Sequence, residues 1–149
     1  MAYSVYDDSL VFARRMDATS TVGLAHVFIV VLAVVRGDSS RIGPEILGMF
    51  RNGPPLPLLR ALLAVLLLPS NEKGQAAAIF DELCYLMEEL PDGPRWAGTL
   101  AIIGVAATLL GDEDAAERVY QRLLPSAGYY DADGSGVIFS GGSKRAGCR

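Results

Sequence analysis

The chain has 149 residues, of which 51% are apolar and 20% are charged, a composition typical of one globular domain and not of a disordered tail. Because a chain of this length buries roughly two thirds of the surface that its unfolded form exposes, its core requires no metal ion or disulfide. Its 13 basic and 17 acidic residues give a net charge of −4, which argues against a surface that neutralises nucleic-acid phosphates.

Helical segments follow one another along the chain, separated by Gly, Pro and Asn. Residues 1–19 are predicted to form an N-terminal arm or short helix, with helical spacing around residues 8–16. Six longer helices are predicted after it, at residues 20–36, 40–51, 56–68, 71–90, 95–110 and 113–124. Since the connections are short and no alternating strand pattern precedes residue 130, the sequence predicts an all-α fold of six or seven helices.

Two of the predicted helices are strongly apolar. The runs at residues 22–35 and 56–68 are shorter than the roughly 20 residues that span a bilayer, and they contain His26 and Arg60. Residues 1–15 lack the basic start and apolar run of a secretory signal. We therefore expect buried core helices in a cytoplasmic protein that contacts no membrane.

An internal repeat lies within residues 56–124. When the sequence is aligned with itself so that Ala61 matches Ala101, four further positions match residues of similar size and character. Ala64 aligns with Gly104, Ala76 with Ala116, Phe80 with Tyr120 and Leu83 with Leu123. The small residues allow neighbouring helices to approach closely, and the aromatic residue is expected to fill the groove between them. This pattern is typical of tetratricopeptide repeats, in which each helical hairpin buries its apolar face against the next.

A third, degenerate hairpin is predicted before these two. Gly37 stands at its turn, and Val30, Ile42 and Ile46 match the repeat positions only in hydrophobic character. We therefore expect a superhelical stack of about three tetratricopeptide-like hairpins over residues 20–127, with a plain helical bundle as the alternative. Residues 128–149 are expected to form a Gly-rich flexible tail.

Two polar residues are expected to cap helices of the repeat. Asn71 precedes Glu72, and Asp112 precedes Glu113 and Asp114, so each pair places a capping side chain and negative charge at a helix N-terminus. These acidic residues are therefore interpreted as structural.

Several segments match, in order, a known family. They are residues 56–64 (LPLLRALLA), 78–83 (AIFDEL), 90–101 (LPDGPRWAGTLA), 109–112 (LLGD) and 115–128 (AAERVYQRLLPSAG). Over about residues 20–142 the chain resembles the helical-repeat region of large bacterial ATPase transcriptional regulators of the LuxR and adenylate-cyclase types. The resemblance implies a scaffold that relays a signal by contact, while other domains hydrolyse ATP and read DNA.

The segments expected of those other domains are not found in this sequence. The nearest fragment to a phosphate-binding loop, residues 140–145, lacks the spacing by which a backbone cradle and its Lys reach phosphates. The resemblance therefore implies a fragment or a truncated relative of such a regulator.

A partial calcium-binding pattern begins at Asp131. Asp131, Asp133 and Ser135 stand at the first, third and fifth positions of an EF-hand loop, but Gly142 stands at the twelfth, where a bidentate Glu is needed. These three residues are therefore weak calcium candidates, and a Gly-rich turn is the preferred interpretation.

No catalytic or cofactor-binding set emerges from the remaining residues. His26 is the only histidine, Cys84 is expected to pack as a small hydrophobe, and Cys148 forms with it neither a disulfide framework nor a metal-ligand spacing. The acidic residues between Asp81 and Asp92 are predicted to form a solvated helix face. Trp96 is expected to pack in the core rather than stack on a ligand.

The function predicted from the sequence is a non-catalytic module or regulatory scaffold that binds a protein or peptide, or a second copy of itself, without a cofactor and without direct contact to nucleic acid. One alternative is a helical ligand-binding domain or enzyme whose site combines scattered residues such as His26, Tyr85 and Trp96. Another is a decoy that competes for the contacts of a larger regulator.

Overall fold

The computed structural model describes residues 2–70, 72–91, 96–126, 130–132 and 139–142. The fold is all-α, as predicted. Over the described residues it comprises seven helices: α1 (Ala2–Arg15), α2 (Thr19–Arg36), α3 (Pro44–Asn52), α4 (Pro57–Leu67), α5 (Lys73–Glu89), α6 (Ala97–Leu110) and α7 (Glu113–Leu123). A 3-10 turn at Leu124–Ser126 follows α7.

The six longer predicted helices agree with the observed bounds to within about four residues at either end. The N-terminal helix differs most from its prediction, because α1 begins at Ala2 rather than near residue 8. The predicted start was too late because the apolar spacing is weakest in the first turns, where Asp7 and Asp8 interrupt it.

The chain divides into two compact units, Met1–Asn52 and Gly53–Arg149. In unit 1, α1 packs along α2, whereas α3, the predicted hairpin partner of α2, packs on that helix much less extensively. The apolar core of this unit consists of Tyr6, Ala13, Ala25, Ile29, Val30, Ala33, Ile46 and Phe50. Only one face of α2 is buried, at the i, i+4 and i+8 spacing that places side chains on one side of a helix.

Aromatic and charged contacts also join α1 to the segment after α2. The ring of Tyr3 lies under two guanidinium groups, with its centroid 5.3 Å from Arg36 and 4.7 Å from Arg41. Arg41 also forms an ion pair with Asp7, with 3.5 Å between nitrogen and oxygen. Such exposed contacts contribute little individually, about 0–1 kcal/mol each.

Among the described helices, α2 alone has the length and composition of a membrane span. It has 18 residues with a mean hydropathy of 1.9, and 28% of it is buried in the fold. Core helices of globular proteins and N-terminal signal sequences meet the same criterion, so the finding by itself assigns no membrane.

Unit 2 contains the two better repeats. The helices α4 and α5 form one packed hairpin, α6 and α7 form the next, and α6 packs against both α4 and α5. The same shift along the chain that relates the repeat residues also relates the helix starts, Pro57 to Ala97 and Lys73 to Glu113. The repeat seen in the sequence is thus matched by the positions of the helices.

The helix ends in unit 2 follow from local chemistry. The first turn of α4 contains Pro57, which lacks the N–H that a helix start leaves without a partner. Gly111 ends α6 with a backbone conformation in the left-handed region (φ +75°), which costs glycine little. The N–H groups of Gly111 and Asp112 donate to carbonyls in the last turn of α6. Asp112 then caps α7, since its carboxylate accepts from the N–H of Ala115 at 2.9 Å.

The predicted cap at Asn71 lies outside the described residues. The observed N-cap of α5 is Glu72, without a side-chain capping hydrogen bond, and its N–H donates to the hydroxyl of Ser70 at 3.3 Å.

Two short strands lie in the segment predicted as a tail. They are β1 (Tyr130–Ala132) and β2 (Phe139–Gly142), and they pair antiparallel with an irregularity between Tyr130 and Ala132. The rest of the predicted tail, at residues 128–129, 133–138 and 143–149, lies outside the described residues.

Candidate functional site

The two hairpins of unit 2 differ in how their equivalent residues are buried. Phe80 is 2% exposed, whereas Tyr120, its counterpart in the second hairpin, is 41% exposed. The small residues of the first hairpin, Ala61, Ala64 and Ala76, are fully buried, whereas those of the second are half-buried: Ala101, Gly104 and Ala116. The physical reason is that α6 covers the face of α4 and α5, whereas no described helix covers the corresponding face of α6 and α7; among the other described elements, the strands β1 and β2 contact α6.

The face that no described helix covers contains a groove of about 270 Å³ between α6 and α7. Its lining consists mostly of carbon: Ala101, Gly104, Val105, Thr108 and Leu109 from α6, and Ala116, Val119, Tyr120 and Leu123 from α7. Leu109 is the most exposed of the large apolar residues of α6, at 59%. An apolar groove of this kind is a common place for a ligand or a partner segment to bind.

The floor of the groove depends on a close approach of its two helices at Gly104. A Cβ atom at this position would lie 3.1 Å from Cγ1 of Val119 on α7, closer than such atoms normally pack. The absence of a side chain therefore allows α7 to lie directly against α6.

One of the two hydroxyls in the groove, that of Thr108, is already satisfied within its own helix. The side chain of Thr108 donates to the carbonyl of Gly104 at 2.9 Å. A bound segment would therefore meet a mainly apolar surface that needs few polar contacts.

Two of the three acidic residues of α7 lie on the side of the helix that borders the groove. Glu113 and Glu117 share a stripe with Tyr120 and Leu124, since these positions are spaced i, i+4, i+7 and i+11. On the side facing α5, Arg122 donates to the carbonyls of Met87 and Leu90, near the C-terminus of α5. The groove is therefore bordered by acidic residues, while an arginine is engaged in joining the two hairpins.

The repeat-packing residues predicted from the sequence fall into two groups. Ala64, Ala76 and Phe80 are buried, as their predicted role requires. Gly104, Ala116 and Tyr120 line the open groove instead of a closed interface. Tyr120 was expected to fill a groove between helices, whereas in the structure it lines a groove that no described helix covers.

Sequence reasoning did not name Val105 and Leu109 as part of a site. The signal that could have found them is the repeat itself: Val65, the counterpart of Val105, is buried beneath the following hairpin, and no described helix follows the last hairpin.

His26 lies in unit 1 and is 4% exposed. Its Nδ1 is 3.3 Å from Sδ of Met49, and the ring of Tyr6 is 6.3 Å away between centroids. Burial lowers the pKa of His26 from 6.5, an effect that Glu45 opposes. These contacts are those of a packed histidine held in its neutral form.

The other residues of the scattered-site alternative belong to unit 2. Tyr85 is 72% exposed on α5, and Trp96 is a half-buried residue at the N-cap of α6. Burial raises the pKa of the half-buried Cys84 thiol, although Arg118 beside it acts in the opposite direction. A raised pKa disfavours the reactive thiolate.

The predicted acidic face on α5 is exposed at Asp81, Glu82, Glu88 and Glu89. Glu82 forms an ion pair with Arg60 of α4, within the first hairpin. Asp92 lies outside the described residues.

The calcium candidates fall largely outside the described residues. Asp133 and Ser135 are not described, and of Asp131 only the backbone is, on β1. Phe139 and Gly142, at the ninth and twelfth loop positions, lie on β2. Among the described residues, no group of three or more His, Cys, Asp or Glu side chains could hold a metal ion.

Comparison of the chain with protein-family models, with curated proteins and with solved structures gave no match. The groove on α6 and α7 is therefore interpreted from its own geometry.

Proposed function

We propose that the chain is a non-catalytic interaction module, a tetratricopeptide-like helical repeat that binds another protein or peptide. The observation that carries this proposal is the difference in burial between Phe80 and Tyr120. In a repeat protein each hairpin buries its apolar face against the next, so an open face of the same composition is suited to a partner.

The composition of the groove supports packing rather than chemistry. Its described lining consists of Ala, Gly, Val, Leu, Thr and Tyr, none of which is a carboxylate, imidazole or thiol. Acid–base and nucleophilic catalysis depend mainly on such groups. The groove is therefore proposed to bind rather than to react.

The resemblance to the helical-repeat region of large bacterial transcriptional regulators suggests the setting. We propose that the module acts in signal transduction in the cytoplasm, as a scaffold or regulatory contact, and that reading DNA falls to other domains. The net charge of −4 supports a protein partner over nucleic acid.

The experiment that tests this function is affinity capture from the source-cell lysate with the full chain, followed by reconstitution of each candidate complex from purified components. Two variants are captured in parallel: Leu109→Lys in the groove, and Val35→Lys at a 73% exposed valine in unit 1. Both change an exposed apolar residue to lysine, so differences in general solubility are matched.

Under the proposal a purified partner forms a complex with the wild-type chain at micromolar concentration. Ordinary regulatory contacts have dissociation constants below about 100 µM. If no reconstituted complex forms at that protein concentration, the interaction function is refuted. Circular dichroism of both variants checks that helix content is preserved.

A further inference from the structure

The open groove has a counterpart within the same chain that shows what such a surface can bind. The equivalent face of α4 and α5 is covered by α6, an uncharged helix with the sequence AGTLAIIGVAATLL. The face of α6 and α7 repeats, in the same register, the small residues and the aromatic residue of that covered face. A helix is therefore the element that matches the shape of the groove.

The size of the groove favours a single helix over a second folded copy of the chain. Nine of the described residues line it, within about 270 Å³. A stable dimer interface buries about 800 Å² and roughly 20–30 residues on each partner. One helix needs only a strip of side chains at i, i+3, i+4 and i+7, which a groove between two helices provides.

The charges beside the groove indicate the composition of that helix. Glu113 and Glu117 are exposed on the stripe that contains Tyr120. Glu117 accepts a hydrogen bond from Gln121 at 2.6 Å, which leaves its negative charge in place. On the other side of α7, Arg122 is held by carbonyls of α5 and Arg118 lies beside Cys84. The side open to a partner is thus acidic.

We propose that the groove on α6 and α7 binds one basic amphipathic helix of a partner protein. Its apolar face packs on Tyr120, Val105 and Leu109, and its Lys or Arg side chains lie beside Glu113 and Glu117. This inference rests on the proposed interaction function and specifies the surface and the class of partner.

The probe for this proposal is a synthetic helix derived from α6. It keeps the buried residues of α6, including Leu100, Ile103, Ala106 and Ala107, and has lysine at the positions that are exposed in α6. A second peptide has glutamate at those same positions. Binding of each labelled peptide to the full chain is measured by fluorescence anisotropy.

The lysine peptide is expected to bind saturably at micromolar concentration, and the glutamate peptide at least fivefold more weakly because of repulsion by the acidic border. Tyr120→Ala is expected to weaken binding about tenfold, since an aromatic anchor carries much of the affinity of a small interface. Its matched control, Tyr85→Ala, removes an exposed tyrosine of α5 outside the groove and should leave binding within about twofold.

The charge contribution is tested separately. Glu117→Lys is expected to weaken binding of the lysine peptide about fivefold and to reduce its salt dependence, whereas Glu89→Lys, at an exposed position of α5, should not.

Three results overturn the proposal. The first is equal binding of the lysine peptide to the wild-type chain and to Tyr120→Ala. The second is absence of peptide binding together with a dimer, seen by sedimentation, that Tyr120→Ala dissociates, which would identify a second copy as the occupant. The third is a reconstituted partner that binds Leu109→Lys as well as wild type, which would refute the groove as the binding site while leaving the interaction function intact.

Discussion

Phe80 and Tyr120 occupy the same position in consecutive hairpins of unit 2, yet the first is buried and the second is 41% exposed. Their helices are related by the same shift along the chain and share the same pattern of small residues. The difference arises because α6 covers one face and no described helix covers the other. In a repeat protein, residue type therefore sets the shape of a face, and the neighbouring hairpin decides whether that face is core or binding surface.

The largest effect is expected from comparing the two aromatic residues directly. Phe80→Ala should lower the free energy of unfolding by about 3–5 kcal/mol, because it leaves a cavity beneath α6, whereas Tyr120→Ala should cost less than about 1 kcal/mol. Urea unfolding followed by circular dichroism measures both values. Similar costs for the two variants would show that the face of α6 and α7 is covered in solution.

The next largest effect concerns the contact that joins the hairpins. Arg122→Met keeps much of the length of the side chain but removes the donors to the carbonyls of Met87 and Leu90, and should cost about 1.5–3 kcal/mol. Arg15→Met, at an exposed position of α1, is the control and should change stability by less than about 0.5 kcal/mol. Equal midpoints in urea for the two variants would show that the Arg122 contacts add no net stability.

Because α6 and α7 approach closely at Gly104, a glycine-to-alanine substitution, which usually stabilises a helix, is expected to lower stability here. Gly104→Ala should cost about 1–2 kcal/mol, because the added methyl presses on Val119, a buried β-branched residue with little rotamer freedom. Gly74→Ala, where a Cβ meets nothing within 4 Å, should gain about 0.5 kcal/mol from helix propensity.

A double-mutant cycle with Val119→Ala assigns the cause of the Gly104→Ala cost. The two substitutions should couple favourably by more than about 0.5 kcal/mol, since shortening Val119 removes the clash. Additive free energies would place the cost elsewhere.

A smaller difference is expected at the N-caps of α5 and α7, which occupy equivalent positions in the two hairpins. Asp112→Ala should cost about 1 kcal/mol by removing the bond to the N–H of Ala115, and Asp112→Asn should restore most of it. Glu72→Ala should cost less, because Glu72 makes no side-chain capping bond. Thermal melts of the three variants rank these effects, and a cost for Glu72→Ala equal to that of Asp112→Ala would contradict this account.

The smallest expected effect is a dependence of stability on pH, and it comes from His26 in unit 1. Because burial lowers the pKa of His26, the unfolded chain binds a proton near pH 6.5 while the folded chain does not, so stability falls as the pH drops below 6.5. The loss should be at most about 1 kcal/mol between pH 7.5 and pH 5.5. Urea midpoints at both pH values should differ less for His26→Gln than for wild type, and an equal dependence would assign the effect to other groups.

Much of the fold was predictable because its signals are local. Gly111 and Asp112 marked the turn between α6 and α7, and Pro57 marked the start of α4, since these residues act on the backbone next to them. The start of α1 was predicted too late because its apolar spacing is weak, and the burial of its Tyr6 depends on packing along α2.

The candidate site was only half predictable. Gly104, Ala116 and Tyr120 were found by their spacing, whereas Val105 and Leu109 were not, because exposed apolar residues on a helix look like core residues in the sequence. Their role depends on which face of α6 is already occupied by α4 and α5.

By itself, then, the sequence determined the all-α class, the helix boundaries in unit 2 and the register of the repeat, since helical periodicity and capping act over a few residues. Only the tertiary structure decided that Phe80 is core while Tyr120 borders an open groove. Burial depends on elements distant in the chain, and no local pattern records whether a neighbouring helix is present to cover a face.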